Sequence, residues 1–176
     1  MAAGELVLAI LSRNDALKKE AFELVMAAHE RMVVSTAYRL LGRMEDARDA
    51  AQEAFLRLFR HFERIEGDPK WWLYRVTVNI CNDYHRRAKQ VQPPDERQID
   101  PSPGPEQSLA IGERKQLLME GLQTLAPRER ESVVLRDIEG LSTREVAQIL
   151  GIEEVTVRSL ISVARVKLAK YVRSRR

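Results

Sequence analysis

Residues that hold metal ions or form disulfide bonds are scarce in this sequence. A single cysteine, Cys81, excludes an internal disulfide and gives no sign of a disulfide-stabilised secreted scaffold. The three histidines lie far apart, and no H-x-x-x-H or C-x-x-C spacing suggests a metal site. A Gly-rich phosphate-binding loop is also missing. We therefore expect no metal site, no cofactor and no enzymatic activity.

Long apolar runs and glycine are also in short supply. No stretch approaches the roughly 20 apolar residues of a membrane-spanning helix. The run ELVLAIL near the N-terminus lacks a preceding basic region and a cleavage site, so we interpret it as a buried helix and not a signal peptide. These features predict a cytoplasmic protein without membrane insertion. With 8 glycines in 176 residues, 44% hydrophobic and 31% charged, the composition favours an all-α folded protein.

Proline is concentrated in one segment. Five of the seven prolines lie between Gln90 and Gln107. Because proline lacks a backbone donor and disfavours helix at the residue before it, this segment is predicted to be an extended linker. The fold class that we predict is therefore two small helical domains, residues 1–90 and 108–176, joined by a flexible Pro-rich linker at 91–107.

The net charge of +3 is unevenly distributed along the chain. Residues 1–64 are neutral, residues 65–90 carry +2, residues 91–140 carry −4 and residues 141–176 carry +5. Two basic regions separated by an acidic one indicate two contacts with a polyanion.

The spacing of apolar residues predicts four helices before the linker and four after it. The first four are expected at about 6–11, 15–41, 45–62 and 70–89, and the later ones at about 106–124, 127–137 and 142–150, followed by a long final helix. Pro127 suits a first helical turn, and Ser142 with Glu145 forms the pattern of a capping box.

The segment STREVAQILGIEEVTVRSLI has the pattern of a helix-turn-helix. Gly151 supplies the turn, and Val157 and Ile161 place one face of the last helix in the core. On the opposite face, side chains suited to base edges and phosphates accumulate. The predicted duplex-DNA contacts are Arg144, Thr156, Arg158, Ser159, Ser162, Arg165 and Lys167. The alternative is an ordinary helical hairpin in a core.

The helix expected at 70–89 interleaves aromatic and cationic residues. Such a mixture suits single-stranded DNA, because bases stack on rings while cations follow the phosphates. The predicted contacts are Trp71, Arg75, Asn79, Tyr84, Arg86, Arg87 and Lys89. The alternative is that the aromatic residues are core, which we favour for Trp72.

Taken together, these segments resemble RNA polymerase sigma factors of the extracytoplasmic-function (ECF) type, in the sigma-70 family. The resemblance lies in RMEDARDAAQEAFLRLF and WWLYRVTVNICNDYHRR before the linker and in LQTLAPRERESVVLRDIEGLSTREVAQILGIEEVTVRSLISVARVKL after it. It covers about residues 18–90 and 110–172. It implies a transcription initiation factor that binds core RNA polymerase, recognises the −35 element with its second domain and the −10 element with its first, and helps to melt the DNA.

The same resemblance implies the partners and their surfaces. The polar side of the helix at 45–62 is expected to bind the clamp helices of the largest polymerase subunit, and the second domain the flap of the second-largest subunit. An anti-sigma factor is a further possible partner. Asn79 matches a polar position beside a pocket for a flipped-out −10 base. The predicted polymerase contacts are Asp49, Gln52, Glu53 and Arg57.

The chain departs from the family pattern at several positions. Leu160 and Val163 replace two expected arginines, so a DNA contact should be missing at Val163, while Leu160 borders the core. Arg48 stands where an acid is usual. Two other functions stay open: a stand-alone helix-turn-helix regulator that binds duplex DNA without polymerase, and a helical adaptor that has lost promoter reading.

Overall fold

The computed structural model describes residues 2–91 and 109–175, with side chains described for 15–88 and 112–175. These residues form seven α-helices and no strand. The helices are α1 (Ala2–Leu41), α2 (Met44–His61), α3 (Pro69–Val91), α4 (Leu109–Gln123), α5 (Pro127–Val133), α6 (Thr143–Leu150) and α7 (Glu154–Ser174). A 3-10 turn at Phe62–Arg64 follows α2, and a π-helical turn at Val134–Ile138 extends α5. The linker predicted at 91–107 lies outside the described residues except for Val91, which ends α3.

The first helix differs from the prediction. Residues 6–11 and 15–41 were expected as two helices, and the structure joins them in α1, a single helix of 40 residues. Ser12, Asn14 and Asp15 are typical of helix N-caps, but a cap contributes only about 1 kcal/mol. Neither glycine nor proline occurs between Glu5 and Leu41 to interrupt the helix. Polar residues alone therefore do not end it.

Helices α1, α2 and α3 pack around a shared apolar core. The face of α2 toward α1 is rich in alanine, which lets the two helix backbones approach closely; the buried alanines are Ala47, Ala50, Ala51 and Ala54. Leu58 of α2 and Leu73 of α3 are fully buried in the same core. At its edge, the Phe22 ring meets the Phe59 and Phe62 rings edge to face, with centroids 5.1 and 6.0 Å apart.

Helices α4 to α7 contain the predicted helix-turn-helix, which the structure confirms. The Ser142 hydroxyl accepts a hydrogen bond from the Glu145 backbone N–H at 3.2 Å, and the Glu145 carboxylate accepts from the Ser142 N–H at 2.6 Å, which completes the capping box of α6. Gly151 ends α6 with φ +65°, a left-handed conformation that favours glycine. Three residues of α7, Val157, Ile161 and Ala164, are buried against the helices behind it.

The two groups of helices, α1–α3 and α4–α7, pack against each other. α1 contacts α4 and α5, and α3 contacts α6. Polar side chains take part: the Arg130 guanidinium of α5 donates to the Leu40 carbonyl of α1 at 2.6 Å. Within the described residues, no helix is both long enough and apolar enough to cross a membrane.

Candidate nucleic-acid interface

The outward face of α7 carries the side chains that were predicted to contact duplex DNA. Because α7 buries Val157, Ile161 and Ala164, the opposite side of the helix faces solvent. Six of the seven predicted residues lie on α7, and all six are exposed: Thr156, Arg158, Ser159, Ser162, Arg165 and Lys167. Two valines stand beside them, Val155 at 68% and Val166 at 67% exposure. The structure therefore brings hydroxyls, cations and methyl groups together on one accessible face.

Part of this face forms a recess between α7 and the π-helical turn. Its volume is about 440 Å³, and three arginines, Arg136, Arg158 and Arg165, line it together with Ser162. Arg136 was not among the predicted contacts. Its position just before the helix-turn-helix is not part of the motif, so only the π-helical turn that carries it shows that it faces α7. Three guanidinium groups in one recess attract a phosphate.

Acidic residues of the same helical group hold the cations of α7 in place. Asp137 accepts two hydrogen bonds from Arg165, at 2.8 and 2.7 Å, and this pairing raises the pKa of the arginine. Lys167 donates to both oxygens of Glu129 at 2.7 and 2.9 Å, which lowers the pKa of that carboxyl. A DNA phosphate must therefore share these cations with carboxylates or replace the carboxylates.

The seventh predicted residue, Arg144, is exposed on α6. It lines a separate concave surface with Gln148, Gly151 and Glu154. Arg144 thus lies beside the recess-bearing face and not in the recess itself. Of the two residues that replace family arginines, Val163 is exposed by 42% and Leu160 is half-buried.

The predicted single-strand contacts on α3 fall into two sets. Trp71, Arg75, Asn79 and Arg86 are exposed and share one side of the helix within about 80° at about 100° per residue. The backbone position of Lys89 continues this side, but its side chain lies outside the described residues. Trp72 is half-buried and packs on the core, as expected.

Tyr84 and Arg87 point elsewhere on α3. Tyr84 is half-buried, and burial followed by the nearby Asp49 and Asp46 raises the pKa of its hydroxyl. These carboxylates belong to α2, so Tyr84 faces α2, on the far side of α3 from Trp71. Arg87 is exposed between the two sides. The structure therefore does not bring Tyr84 together with Trp71, Arg75, Asn79 and Arg86. Its contact with α2 shows which side of α3 it occupies.

Arg75 of α3 forms a hydrogen bond with the group of helices α4–α7. Its Nη2 donates to the backbone carbonyl of Gln148 on α6 at 3.3 Å. Two turns further on, the Asn82 side chain lies close enough to Glu131 of α5 to lower the pKa of that carboxyl, against the larger opposite effect of burial. The side of α3 with the aromatic and cationic residues is thus partly covered by α5 and α6.

The four residues predicted to bind polymerase form one surface of α2. Asp49 and Gln52 are exposed, and Arg57 donates to Glu53 at 2.7 Å across one helical turn. Leu56, exposed by 47%, lies among them and was missed by a search for polar residues. Gln52 and Leu56 also line an apolar groove of about 370 Å³ between α1 and α2, with Phe22, Met26, Val34, Phe55 and Phe59. This surface therefore combines polar and apolar contacts.

Among the described side chains, no cluster of three or more His, Cys, Asp or Glu residues could hold a metal ion. Cys81 is buried, and burial raises the pKa of its thiol, which keeps it protonated.

Comparison with known protein families gives two matches. Residues 25–91 match the family model of sigma-70 region 2, and residues 115–168 match that of sigma-70 region 4. The first match includes α2 and α3, and the second includes α5, α6 and most of α7.

Individual relatives agree with these matches. The chain is 38% identical over 149 residues to the ECF RNA polymerase sigma factor SigE of Mycolicibacterium smegmatis, an alignment that covers 81% of this chain and 58% of that protein. It is 34% identical to the RNA polymerase sigma-E factor of Streptomyces coelicolor, with 84% and 83% covered. The fold matches that of the sigma factor RpoE of Bartonella quintana, solved with the anti-sigma factor NepR, at TM-score 0.68 and 22% identity over 90% of this chain and 98% of that one. The chain belongs to the ECF group of the sigma-70 family of RNA polymerase sigma factors.

Proposed function

We propose that this protein is an alternative sigma factor of the bacterial cytoplasm, which binds core RNA polymerase and directs it to promoters with a −35 and a −10 element. The observation that carries the proposal is the exposed face of α7 with its arginine-lined recess. Residues 1–90 and 108–176 act as the −10-binding and −35-binding domains, and 91–107 as the linker.

At the −35 element, α7 lies in the major groove. Arg158, Ser159 and Ser162 contact base edges, and the exposed Val155 and Val166 meet thymine methyl groups. The remaining side chains on this face position the helix by contacting phosphates or sugars. They are Arg144, Thr156, Arg165, Lys167 and, added from the structure, Arg136.

At the −10 element, α3 binds the separated strand. Trp71 stacks on a base, Arg75, Arg86, Arg87 and Lys89 follow the phosphates, and Asn79 offers a donor and an acceptor to a flipped-out base. Binding of the unstacked strand offsets the few kcal/mol needed to extrude each base. Tyr84 is half-buried against α2 and so packs behind this surface. Its predicted contact with a base requires α3 to shift.

The outward surface of α2 binds the clamp helices of the largest polymerase subunit, through Asp49, Gln52, Glu53 and Arg57 with Leu56 among them. The second domain contacts the flap of the second-largest subunit. An anti-sigma factor holds the protein inactive until a signal releases it, a proposal that draws on the complex in which the Bartonella quintana relative was solved.

The proposal is tested by transcription in vitro with purified core polymerase on a genomic promoter library. The expected result is that the protein associates with core and creates new start sites preceded by shared −35 and −10 sequences. Tight binding of the isolated protein to duplex DNA, with no effect on core polymerase, would identify a stand-alone regulator instead.

The role of Asn79 is tested by Asn79→Ala. Because the side chain is exposed on α3 and away from α2, the variant should lose open-complex formation about tenfold or more while its affinity for core polymerase stays unchanged. Potassium permanganate footprinting measures the first quantity and fluorescence anisotropy with core the second. Equal loss of both would contradict the assigned role.

A further inference from the structure

One carboxylate of the C-terminal helical group accepts hydrogen bonds from three side chains of the N-terminal group. Glu139 Oε1 accepts from the Thr36 hydroxyl at 3.0 Å and from Arg39 Nη1 at 2.7 Å. Its Oε2 accepts from the Tyr74 hydroxyl at 3.0 Å. Thr36 is fully buried, Tyr74 is 2% exposed and the Glu139 side chain is 10% exposed, so most of this cluster is shielded from water, and only Arg39 reaches the solvent. A charged acceptor with three donors in such a place makes strong hydrogen bonds.

The π-helical turn places this carboxylate between the groups. In the turn, the Glu139 N–H bonds to the Val134 carbonyl at 2.9 Å, and the Leu141 N–H bonds to the Leu135 carbonyl at 3.1 Å. Gly140, with φ +76°, then reverses the chain into α6. Local π-helical turns are frequent at functional sites because they redirect a side chain at a defined position. Here the redirected side chain is Glu139.

A second polar contact closes the C-terminal end of α1. The carbonyls of Arg39 and Leu40 accept hydrogen bonds from Gln123 at 3.1 Å and from Arg130 at 2.6 Å. The last carbonyls of a helix have no partner within it and carry partial negative charge, so these donors are favourable there. At Gly42, which follows α1, an added Cβ would lie 2.8 Å from the Gln123 side chain. The two groups thus interlock at two places.

The interlocked arrangement covers part of the surface proposed to bind the −10 strand. Arg75 donates to the Gln148 carbonyl of α6 at 3.3 Å, and Asn82 lies beside Glu131 of α5. A DNA phosphate that binds Arg75 must compete with the Gln148 carbonyl of α6, the first helix of the helix-turn-helix, for that guanidinium. α6 and DNA therefore compete for this part of α3.

Promoter geometry gives a second reason why the groups must separate. The positions that name the −35 and −10 elements are 25 base pairs apart, or roughly 85 Å at about 3.4 Å per base pair. In the structure, α6 and α3 touch, with 3.3 Å between Arg75 Nη2 and the Gln148 carbonyl oxygen. The 18 residue steps from Val91 to Leu109 permit at most about 65 Å of extension, enough to let the groups part.

We propose that Glu139 is an intramolecular latch, which holds the α4–α7 group over the −10-binding side of α3 in a closed state that must open before the promoter is bound. This inference rests on the proposed function, because it is promoter binding that requires the open state. The partner of the covered surface on α3 is then the second domain of the same chain. The apparent affinity for the promoter equals the affinity of the open state multiplied by the fraction of molecules that are open.

Closure is measured directly in the full chain by the distance between two labels attached to cysteines. Arg31→Cys and Arg173→Cys place one exposed cysteine in each group. The native Cys81 is buried and therefore shielded from the labelling reagent. The wild type is expected to show one short distance. Glu139→Gln keeps the shape but removes the charge, and it should shift the ratio of open to closed molecules roughly tenfold, the effect of losing one charge-assisted hydrogen bond. The control Glu113→Gln removes an exposed carboxylate from α4 and should leave the distance unchanged.

The donor side provides an independent variant. Thr36→Val with Tyr74→Phe removes two of the three donors and keeps side-chain volume. This double variant should open the protein in the same direction, and combined with Glu139→Gln it should add little, since all act on one cluster. Circular dichroism confirms that each variant keeps its helices.

Transcription with core polymerase supplies the functional readout. At limiting protein, Glu139→Gln should raise open-complex formation by up to about tenfold, and at saturating protein the difference from wild type should vanish. An unchanged label distance in Glu139→Gln and in the double variant would overturn the latch. An increased distance without a gain in open complexes would overturn its inhibitory role. If even the wild type fails to direct initiation, the proposed function fails, and the distance measurement alone decides whether Glu139 closes the molecule.

Discussion

Helices α3 and α7 both present cations on an outward side, but they differ in what contacts those cations. On α7, Arg165 and Lys167 pair with Asp137 and Glu129 of their own helical group, and the face stays open to solvent. On α3, Arg75 donates to the other group. The cations of α7 are therefore held within their own group, whereas one side of α3 is partly covered by the other group. Sequence composition does not distinguish these situations, because neither contact involves neighbours in the chain.

The largest effect is expected from Arg130→Ala, which removes one of the residues that join the two groups. The Arg130 side chain is 6% exposed and donates to the carbonyls of Leu40, Leu122 and Leu125. Each buried carbonyl left unpaired costs about 1–3 kcal/mol, so the free energy of unfolding should fall by about 3 kcal/mol or more. Urea denaturation measures it. The exposed control Arg114→Ala should stay within about 0.5 kcal/mol of wild type, and a loss below 1 kcal/mol for Arg130→Ala would contradict the role.

Arg158→Ala tests the open side of the comparison. Because the guanidinium lines the recess on α7 and is exposed, its loss should weaken −35 binding by the polymerase holoenzyme about tenfold, in line with about 1–3 kcal/mol for a base contact. Its ion pair with Glu154 is exposed, so thermal stability should change little. Gel-shift titration measures the affinity, with Lys115→Ala on α4 as the matched control. An unchanged affinity would show that Arg158 does not contact the −35 element.

Asp137→Asn should have a smaller effect of opposite sign. The carboxylate binds Arg165 at 2.7 and 2.8 Å, and its neutralisation frees the guanidinium for a phosphate. Affinity should rise a few-fold for specific and non-specific DNA alike, and the slope of log affinity against log salt should steepen by up to about 0.9. Titration at several salt concentrations measures the slope. A gain restricted to one promoter sequence would show that Asp137 acts on base recognition instead.

The smallest effect is expected from Glu131→Gln, at the covered side of α3. Burial raises the pKa of the Glu131 carboxyl above its ordinary value of 4.5, only partly offset by Arg128 and Asn82. A raised folded-state pKa gives stability that is present in full below about pH 4.5 and lost as pH rises through the folded pKa. The glutamine variant carries no charge, so its melting temperature should exceed that of wild type at pH 8. This advantage should disappear toward pH 4.5, and a constant difference across that range would refute the assignment.

Several elements follow from local patterns. The Ser142–Glu145 capping box and the turn at Gly151 were predicted and are confirmed, since both depend on residues within one helical turn of each other. The break expected between residues 11 and 15 is wrong, because cap-type residues permit a helix end without forcing one. Tyr84 shows another limit: it matches the aromatic pattern of α3, yet it faces Asp46 and Asp49 of α2.

The sequence by itself determined that the chain is helical, where its helix-turn-helix lies and which face of α7 points outward. These properties depend on apolar periodicity and on caps, which operate over three to five residues. Only the tertiary structure decided that Glu139 meets Thr36, Arg39 and Tyr74, which lie 103, 100 and 65 residues away. Contacts at such separations depend on how helices cross and on where a π-helical turn aims one side chain. No local pattern encodes that geometry.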